Sequence, residues 1–223
     1  MSKGLEALRS LPRGLLIAFE GLDRSGKSTQ LKMLSERLAK EGLPCKTIDY
    51  PDRSSETGLI IDKFLTKQLT LNAQVIHLLF SANRWEKNEE IKRALAEEKR
   101  VIIVDRYAYS GVAYSAAKGI RSAEELKNPD RGLIRPDLVF YMDIDPEVSK
   151  NRGDFGKEIY EKVEFQKLVG VQFKSLTEDN WNLIDARKAK DDIEIEVWSK
   201  LEKFCENNPK LGEPRELWPY TNR

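Results

Sequence analysis

The chain has 223 residues, with 38 basic and 37 acidic side chains and a formal net charge of +1; the length suits one domain with a substantial core, and the balance argues against broad attraction to nucleic acid or an acidic membrane. Its two cysteines, Cys45 and Cys205, lie far apart without metal-ligand spacing, as reduced intracellular thiols do. No apolar stretch reaches membrane-spanning length and residues 1–12 hold no apolar signal core, so the expected home is the cytosol, with the nucleus as a second compartment, and neither nucleic acid nor membrane is expected as a partner.

The first predicted element is a strand at 15–20, which opens into Gly21-Leu22-Asp23-Arg24-Ser25-Gly26-Lys27-Ser28, a GxxxxGK[ST] phosphate loop. Glycines let such a loop curl so that successive backbone N–H groups face phosphate oxygens at the start of the next helix. Lys27 is expected to reach the β- and γ-phosphates of ATP and the Ser28 hydroxyl to ligate Mg²⁺. Gly21, Ser25, Gly26 and Thr29 complete the expected ATP cradle. Asp23 and Arg24 fill positions that the motif leaves free, and a guanidinium there can stabilise a phosphoryl in flight.

A helix at 27–41 follows, with Leu31, Leu34 and Leu38 on one face. Next come a strand at 45–50, helices at 57–67 and 72–98, a strand at 100–105 and a helix at 109–118. The chain closes with a strand at 138–144, a helix at 160–179, a strand at 181–185 and a helix at 191–207. Short apolar strands between helices predict βαβ units. The fold class is therefore α/β, a P-loop NTPase with three α/β/α layers and a five-stranded parallel sheet. Ligands of such sheets gather at the carboxyl ends of the strands, where this chain places Glu20, Asp49 to Arg53, Asp105 to Tyr107 and Asp143. No repeat or Pro/Gly-rich linker divides residues 1–223, so one domain is expected.

Four arginines need a role: Arg24 in the loop, Arg53 after the second strand, Arg84 on the long helix and Arg106 after the third strand. Guanidinium forks bind phosphate oxygens bidentately, and a cluster suits a site holding two phosphate-bearing partners. A nucleoside kinase must deprotonate a neutral hydroxyl, and Glu20 is placed to be its base. A nucleoside monophosphate kinase has an anionic acceptor and relies on positioning and charge neutralisation; the arginines favour this second type. A nucleotide-binding switch without turnover is a third reading, although no Asn-Lys-x-Asp run is present. Trp85 reads as core, His77 as a packed histidine, and Asp154-Phe155-Gly156 as a chance match to a protein-kinase metal motif.

The chain resembles thymidylate kinases, especially the eukaryotic and poxviral type with an arginine in the phosphate loop. The resemblance runs from Gly14 to about Gln172 and rests on four blocks: 19–30, 51–54 (Pro-Asp-Arg-Ser), 77–86 (His-Leu-Leu-Phe-Ser-Ala-Asn-Arg-Trp-Glu) and 105–114 (Asp-Arg-Tyr-Ala-Tyr-Ser-Gly-Val-Ala-Tyr). It implies an ATP-dependent kinase that converts dTMP to dTDP in dTTP biosynthesis, with a lid and as a homodimer. It implies that Arg24, Lys27, Asp105 and Arg106 are catalytic, with Asp105 near Mg²⁺ through water. Asp23 would contact the 3′-hydroxyl of the acceptor, and Arg53 and Arg106 its phosphate. Phe80 would stack on thymine, Arg84 donate to its O4, Ser110 and Gly111 line the base pocket, and Tyr114 lie under the sugar. Tyr160 with Glu161, and Gln166, would close the dTMP site, and Arg152 would serve ATP from a lid at about 150–159. Tyr50, Asp52 and Tyr114 depart from residues common in the family; the hydroxyl of Tyr114 is expected near the sugar.

Overall fold

A computed structural model of the chain describes residues 2–152, 156 and 158–220. Five strands, β1 (Leu16–Gly21), β2 (Cys45–Asp49), β3 (Val101–Asp105), β4 (Leu138–Asp143) and β5 (Trp181–Asp185), form one parallel sheet in the order β2-β3-β1-β4-β5. Every residue of β1 and β3 is buried. That is why these segments read as continuous apolar runs: central parallel strands are covered on both faces.

Alternate side chains of β1 enter two separate cores. Leu16 and Ala18 face a layer that includes α5 (Asn88–Ala96), α6 (Ala108–Ala117) and α9 (Val163–Ser175). Ile17 and Phe19 face α1 (Lys3–Arg9), α2 (Lys27–Lys40) and α10 (Lys190–Asn207). Phe19 and Phe140, both fully buried, pack with ring centres 5.3 Å apart, and burying a side chain of that size contributes about 1.5–3 kcal/mol. A third, smaller core of Ile61, Phe64, Leu65 and Ile76 joins α3 (Glu56–Leu65) to α4 (Ala73–Trp85). Two short helices, α7 (Ala123–Leu126) and α8 (Pro146–Ser149), complete the set. No helix among the described residues is long and apolar enough to cross a membrane.

Three expectations change. The helix at 72–98 is two helices, α4 and α5, broken at Glu86 and Lys87. Distant partners hold the chain at the break: Glu86 accepts from Thr57, and the buried Asn88 side chain accepts the Ile134 N–H at 2.9 Å. The helix at 160–179 is confined to Val163–Ser175. Residues 3–9, given no structure by the sequence reading, form α1, capped by the Ser2 hydroxyl.

Candidate active site

The strand order reverses direction around β1, and at the carboxyl ends of β1 and β3 opens a cleft of about 930 Å³. Gly21 ends β1 and Gly26 is the N-cap of α2 at φ 95°, a left-handed conformation that favours glycine. No side chain caps α2, so its first N–H groups are offered to an anion. Lys27 is only 5% exposed; its Nζ donates to the Leu22 carbonyl at 2.6 Å and to Ser25 Oγ at 3.4 Å. Burial first, and then the charge of Arg106, lower its pKa to about 8 although Asp105, Asp23 and Glu20 oppose the shift. The Ser28 hydroxyl donates to Asp105 Oδ2. Thr29 lines the same cleft, and Arg152 crosses its rim, donating to the carbonyls of Ser25 at 3.4 Å and Ala186 at 2.7 Å.

The loop and strand-end arginines stand against carboxylates. Arg24 pairs with Glu161 at 3.2 Å, Arg53 is held between Asp62 and Glu158, and Arg106 meets Asp23. Arg106 also donates to the Gly21 carbonyl at 3.0 Å and Ser110 Oγ at 3.2 Å. Burial works against its charge, yet Tyr114, Asp23, Asp105 and Glu20 raise its pKa and keep it a cation. Arg24 and Arg106 both sit at positive φ, 60° and 66°. Non-glycine residues rarely hold that conformation, and it costs about 1–3 kcal/mol where it persists.

Asp23 is clasped from three sides: it accepts from Arg106, from the Tyr114 hydroxyl at 2.9 Å and from Gln166 Nε2 at 2.7 Å. Gln166, wholly buried, returns the contact by accepting the Asp23 N–H at 3.0 Å. Burial drives the Tyr114 phenol pKa up, so it remains a neutral donor. Phe80, Arg84, Ser110, Gly111 and Tyr160 line the far part of the cleft. Arg84 lies buried in a forked pair with Asp130, Nε at 3.1 Å and Nη2 at 2.7 Å, which leaves Nη1 outside the pair. Gly111 is required there, because a Cβ at that position would stand 2.7 Å from Nη2 of Arg84.

One sequence reading, Trp85 as core, is corrected, and Glu20 does not fit the role that the nucleoside-kinase alternative would give it. Glu20 is sealed under α6, where it accepts the N–H groups of Tyr107 at 2.9 Å and Ser110 at 3.0 Å together with the Ser110 hydroxyl. It caps a helix and is fully buried, so it does not reach an acceptor as a base. Trp85 is 40% exposed, not core, and donates through Nε1 to the Pro129 carbonyl at 2.8 Å. His77 is packed as expected, between Ser115 Oγ at 2.8 Å and the Leu126 carbonyl at 3.1 Å. The lid reading at 150–159 and the Asp154-Phe155-Gly156 match fall partly on residues 153–155 and 157, which lie outside the described residues.

Sequence reasoning missed Glu158, Asp130 and Lys118. Nothing local marks the first two, whose partners are 105 and 46 residues away. Lys118 had a signal: Gly111, Tyr114 with Ser115, and Lys118 follow helical spacing along one face of α6, and all line the cleft.

A family model described as thymidylate kinase matches residues 19–197. The chain belongs to the thymidylate kinase family. It is 46% identical over 193 residues to the thymidylate kinase of Plasmodium falciparum, covering 86% of this chain and 91% of that one. It is 42% identical to that of Danio rerio, covering 94% and 99%. The solved structure of the Candida albicans thymidylate kinase superposes with a TM-score of 0.83 at 36% identity, covering 92% of this chain and 98% of that one. The activity is that of the thymidylate kinase family, an ATP-dependent nucleoside monophosphate kinase. Among the described residues no cluster of three or more His, Cys, Asp or Glu offers a dedicated metal cage. A hydroxyl and a carboxylate side by side, Ser28 and Asp105, are the hard oxygen donors with which Mg²⁺ is shared between protein, phosphates and water.

Proposed function

We propose that the chain is one catalytic domain that moves the γ-phosphoryl of ATP to the 5′-phosphate of dTMP, giving dTDP and ADP for dTTP synthesis, in the cytoplasm and nucleus. The observation that carries this reading is the set of three cations, Arg24, Arg53 and Arg106, each held against carboxylates around one cleft. An acceptor that already carries a phosphate needs no base.

The N–H groups at the start of α2 and Lys27 hold the donor phosphates, with Arg152 beside the loop serving ATP from its rim. Ser28, and Asp105 through water, would hold Mg²⁺, which would supply neutralisation of phosphate charge. Arg53 and Arg106 take the acceptor phosphate in exchange for Glu158 and Asp23, and Asp23, freed of one partner, accepts from the 3′-hydroxyl. Arg24, released by Glu161, reaches the phosphoryl between the two nucleotides. Phe80 stacks on thymine and Nη1 of Arg84 donates to its O4, while Ser110, Gly111, Tyr114, Tyr160 and Gln166 enclose base and sugar.

A coupled ADP-release assay across deoxynucleoside monophosphates tests the pocket. A thymine methyl contributes about 1–3 kcal/mol, so dUMP is expected to be roughly ten- to two-hundred-fold poorer than dTMP in kcat/KM. Cytosine turns a donor amine toward the Arg84 donor and leaves both unmet; dCMP falls below dUMP. Equal rates with dCMP and dTMP contradict this pocket.

A further inference from the structure

Asp130 ends a short 3₁₀ turn, Asn128–Asp130, and is fully buried. Three side chains of α4 reach that turn. Ser81, Arg84 and Trp85 follow helical spacing and so share one face. The Ser81 hydroxyl donates to the Pro129 carbonyl at 3.0 Å and to Asp130 Oδ1 at 2.8 Å, and the Trp85 indole donates to the same carbonyl at 2.8 Å. Just past the turn, the Gly132 N–H donates to the Leu217 carbonyl at 3.0 Å, and the Leu217 N–H donates to the Leu133 carbonyl at 2.6 Å. The turn is therefore held by α4 and by a segment near the end of the chain.

On this mount the carboxylate fixes Arg84. Asp130 accepts from Nε at 3.1 Å and from Nη2 at 2.7 Å, and two parallel bonds hold carboxylate and guanidinium in one plane. Gly111 packs close to the same guanidinium, since a Cβ there would stand 2.7 Å from Nη2 and 3.1 Å from Nη1. Nη1 is the one guanidinium nitrogen of Arg84 without an acceptor among the described residues, on a side chain that is 3% exposed and lines the cleft. A buried ion pair adds little net stability over apolar side chains of similar volume. What this one fixes is direction.

We propose that Asp130 is a positioning residue that sets the choice of acceptor base. By holding Arg84 in one plane it aims Nη1, so that the site takes a pyrimidine with a carbonyl at C4 and rejects one with an amine there. The proposal rests on the dTMP-kinase reading, in which Nη1 meets thymine O4. A fixed donor facing the cytosine amine leaves both donors unmet. A guanidinium free to turn withdraws from that amine and gives up the bond to O4 as well, so loosening the mount costs dTMP more than dCMP. Asp130 and Ser81 are not among the residues that line the cleft, and their effect on the base passes through Arg84.

Steady-state kinetics with dTMP and dCMP in the native chain, Asp130→Asn and Ser81→Ala test this. Asp130→Asn keeps the shape of the side chain and turns amide N–H groups toward one arm of Arg84. Its dTMP-to-dCMP ratio of kcat/KM is expected to fall at least about tenfold, as for the loss of one hydrogen bond to a charged group. The fall is expected in KM for dTMP, with KM for ATP unchanged. Ser81→Ala removes one bond to Oδ1 and is expected to lower the ratio about threefold. A purely structural defect lowers the active fraction, scales both monophosphates alike and leaves the ratio where it was. The proposal is overturned if Asp130→Asn keeps the native ratio or, where that variant does not fold, if Ser81→Ala does. A native chain that prefers dTMP beside such an unchanged variant contradicts the role of Asp130 alone. A native ratio near one contradicts the thymine pocket itself, and this role with it.

Discussion

An ammonium buried beside a guanidinium keeps its proton poorly until a polyanion arrives, and Lys27 is in that position. Its pKa in the folded chain, about 8, lies below the ordinary 10.5. Below pH 8 both folded and unfolded chains carry the proton, and the folded one bears the whole desolvation cost. Between pH 8 and 10.5 the folded chain has released a proton that the unfolded chain retains, so stability without ligand rises with pH across that window. A triphosphate against Nζ restores the charged form. At pH 8.5, where roughly three quarters of Lys27 is neutral, ATP binding should take up about 0.7 proton. Calorimetry in two buffers of different ionisation enthalpy measures this, and an uptake near zero would show that the donor phosphates do not meet Lys27. The loop lysine was legible because motif spacing names it, and the arginines because they fall in the loop, on a helix and at strand ends. Their resting partners were not: Glu161 lies 137 residues from Arg24 and Glu158 lies 105 from Arg53, and only the fold brings them together.

At the scale of elements, the junction of β1 with α6 decides what Glu20 does. Tyr107, the N-cap of α6, provides no side-chain cap, and the Glu20 carboxylate takes the N–H of Ser110 that a cap would have taken. Burial raises the Glu20 pKa, while Ser110 and then Arg106 stabilise its charged form. Glu20→Ala leaves two buried N–H groups and a hydroxyl without an acceptor, at about 1–3 kcal/mol each before relaxation. Urea unfolding is expected to show a loss of about 2–4 kcal/mol; a loss below 0.5 kcal/mol would mean that α6 does not depend on this contact. The strands were legible because both faces of the sheet are covered, so an apolar run alone marks them. The break between α4 and α5 was not, since apolar spacing continues through it and its cause, Asn88 against the Ile134 backbone, lies across the fold. Trp85 next to that break was read as core from its place with Leu79 and Phe80 on one helix, whereas its indole donates to the Pro129 carbonyl at the surface.

For the whole molecule, one cleft serves both nucleotides, and apolar side chains stand exposed on helices outside its phosphate loop. Leu59 and Ile60 on α3 and Val75 and Leu78 on α4 are all exposed, on two helices that pack together. Exposed apolar groups concentrated in this way mark contact surfaces, and we propose that this face joins two copies in a homodimer. Light scattering should return twice the 25.7 kDa chain mass, and 25.7 kDa itself would count against the dimer. The α/β architecture and phosphate loop were readable from periodicity and one motif, while the choice of acceptor rests on how the arginines and Glu20 are placed in space. ADP release with dTMP and with thymidine, in the native chain and in Arg24→Ala, tests that choice most directly. The account predicts turnover with dTMP, none with thymidine, and a fall of ~10³ in kcat with dTMP in the variant. Thymidine phosphorylated as fast as dTMP, or a variant as fast as the native chain, would contradict it.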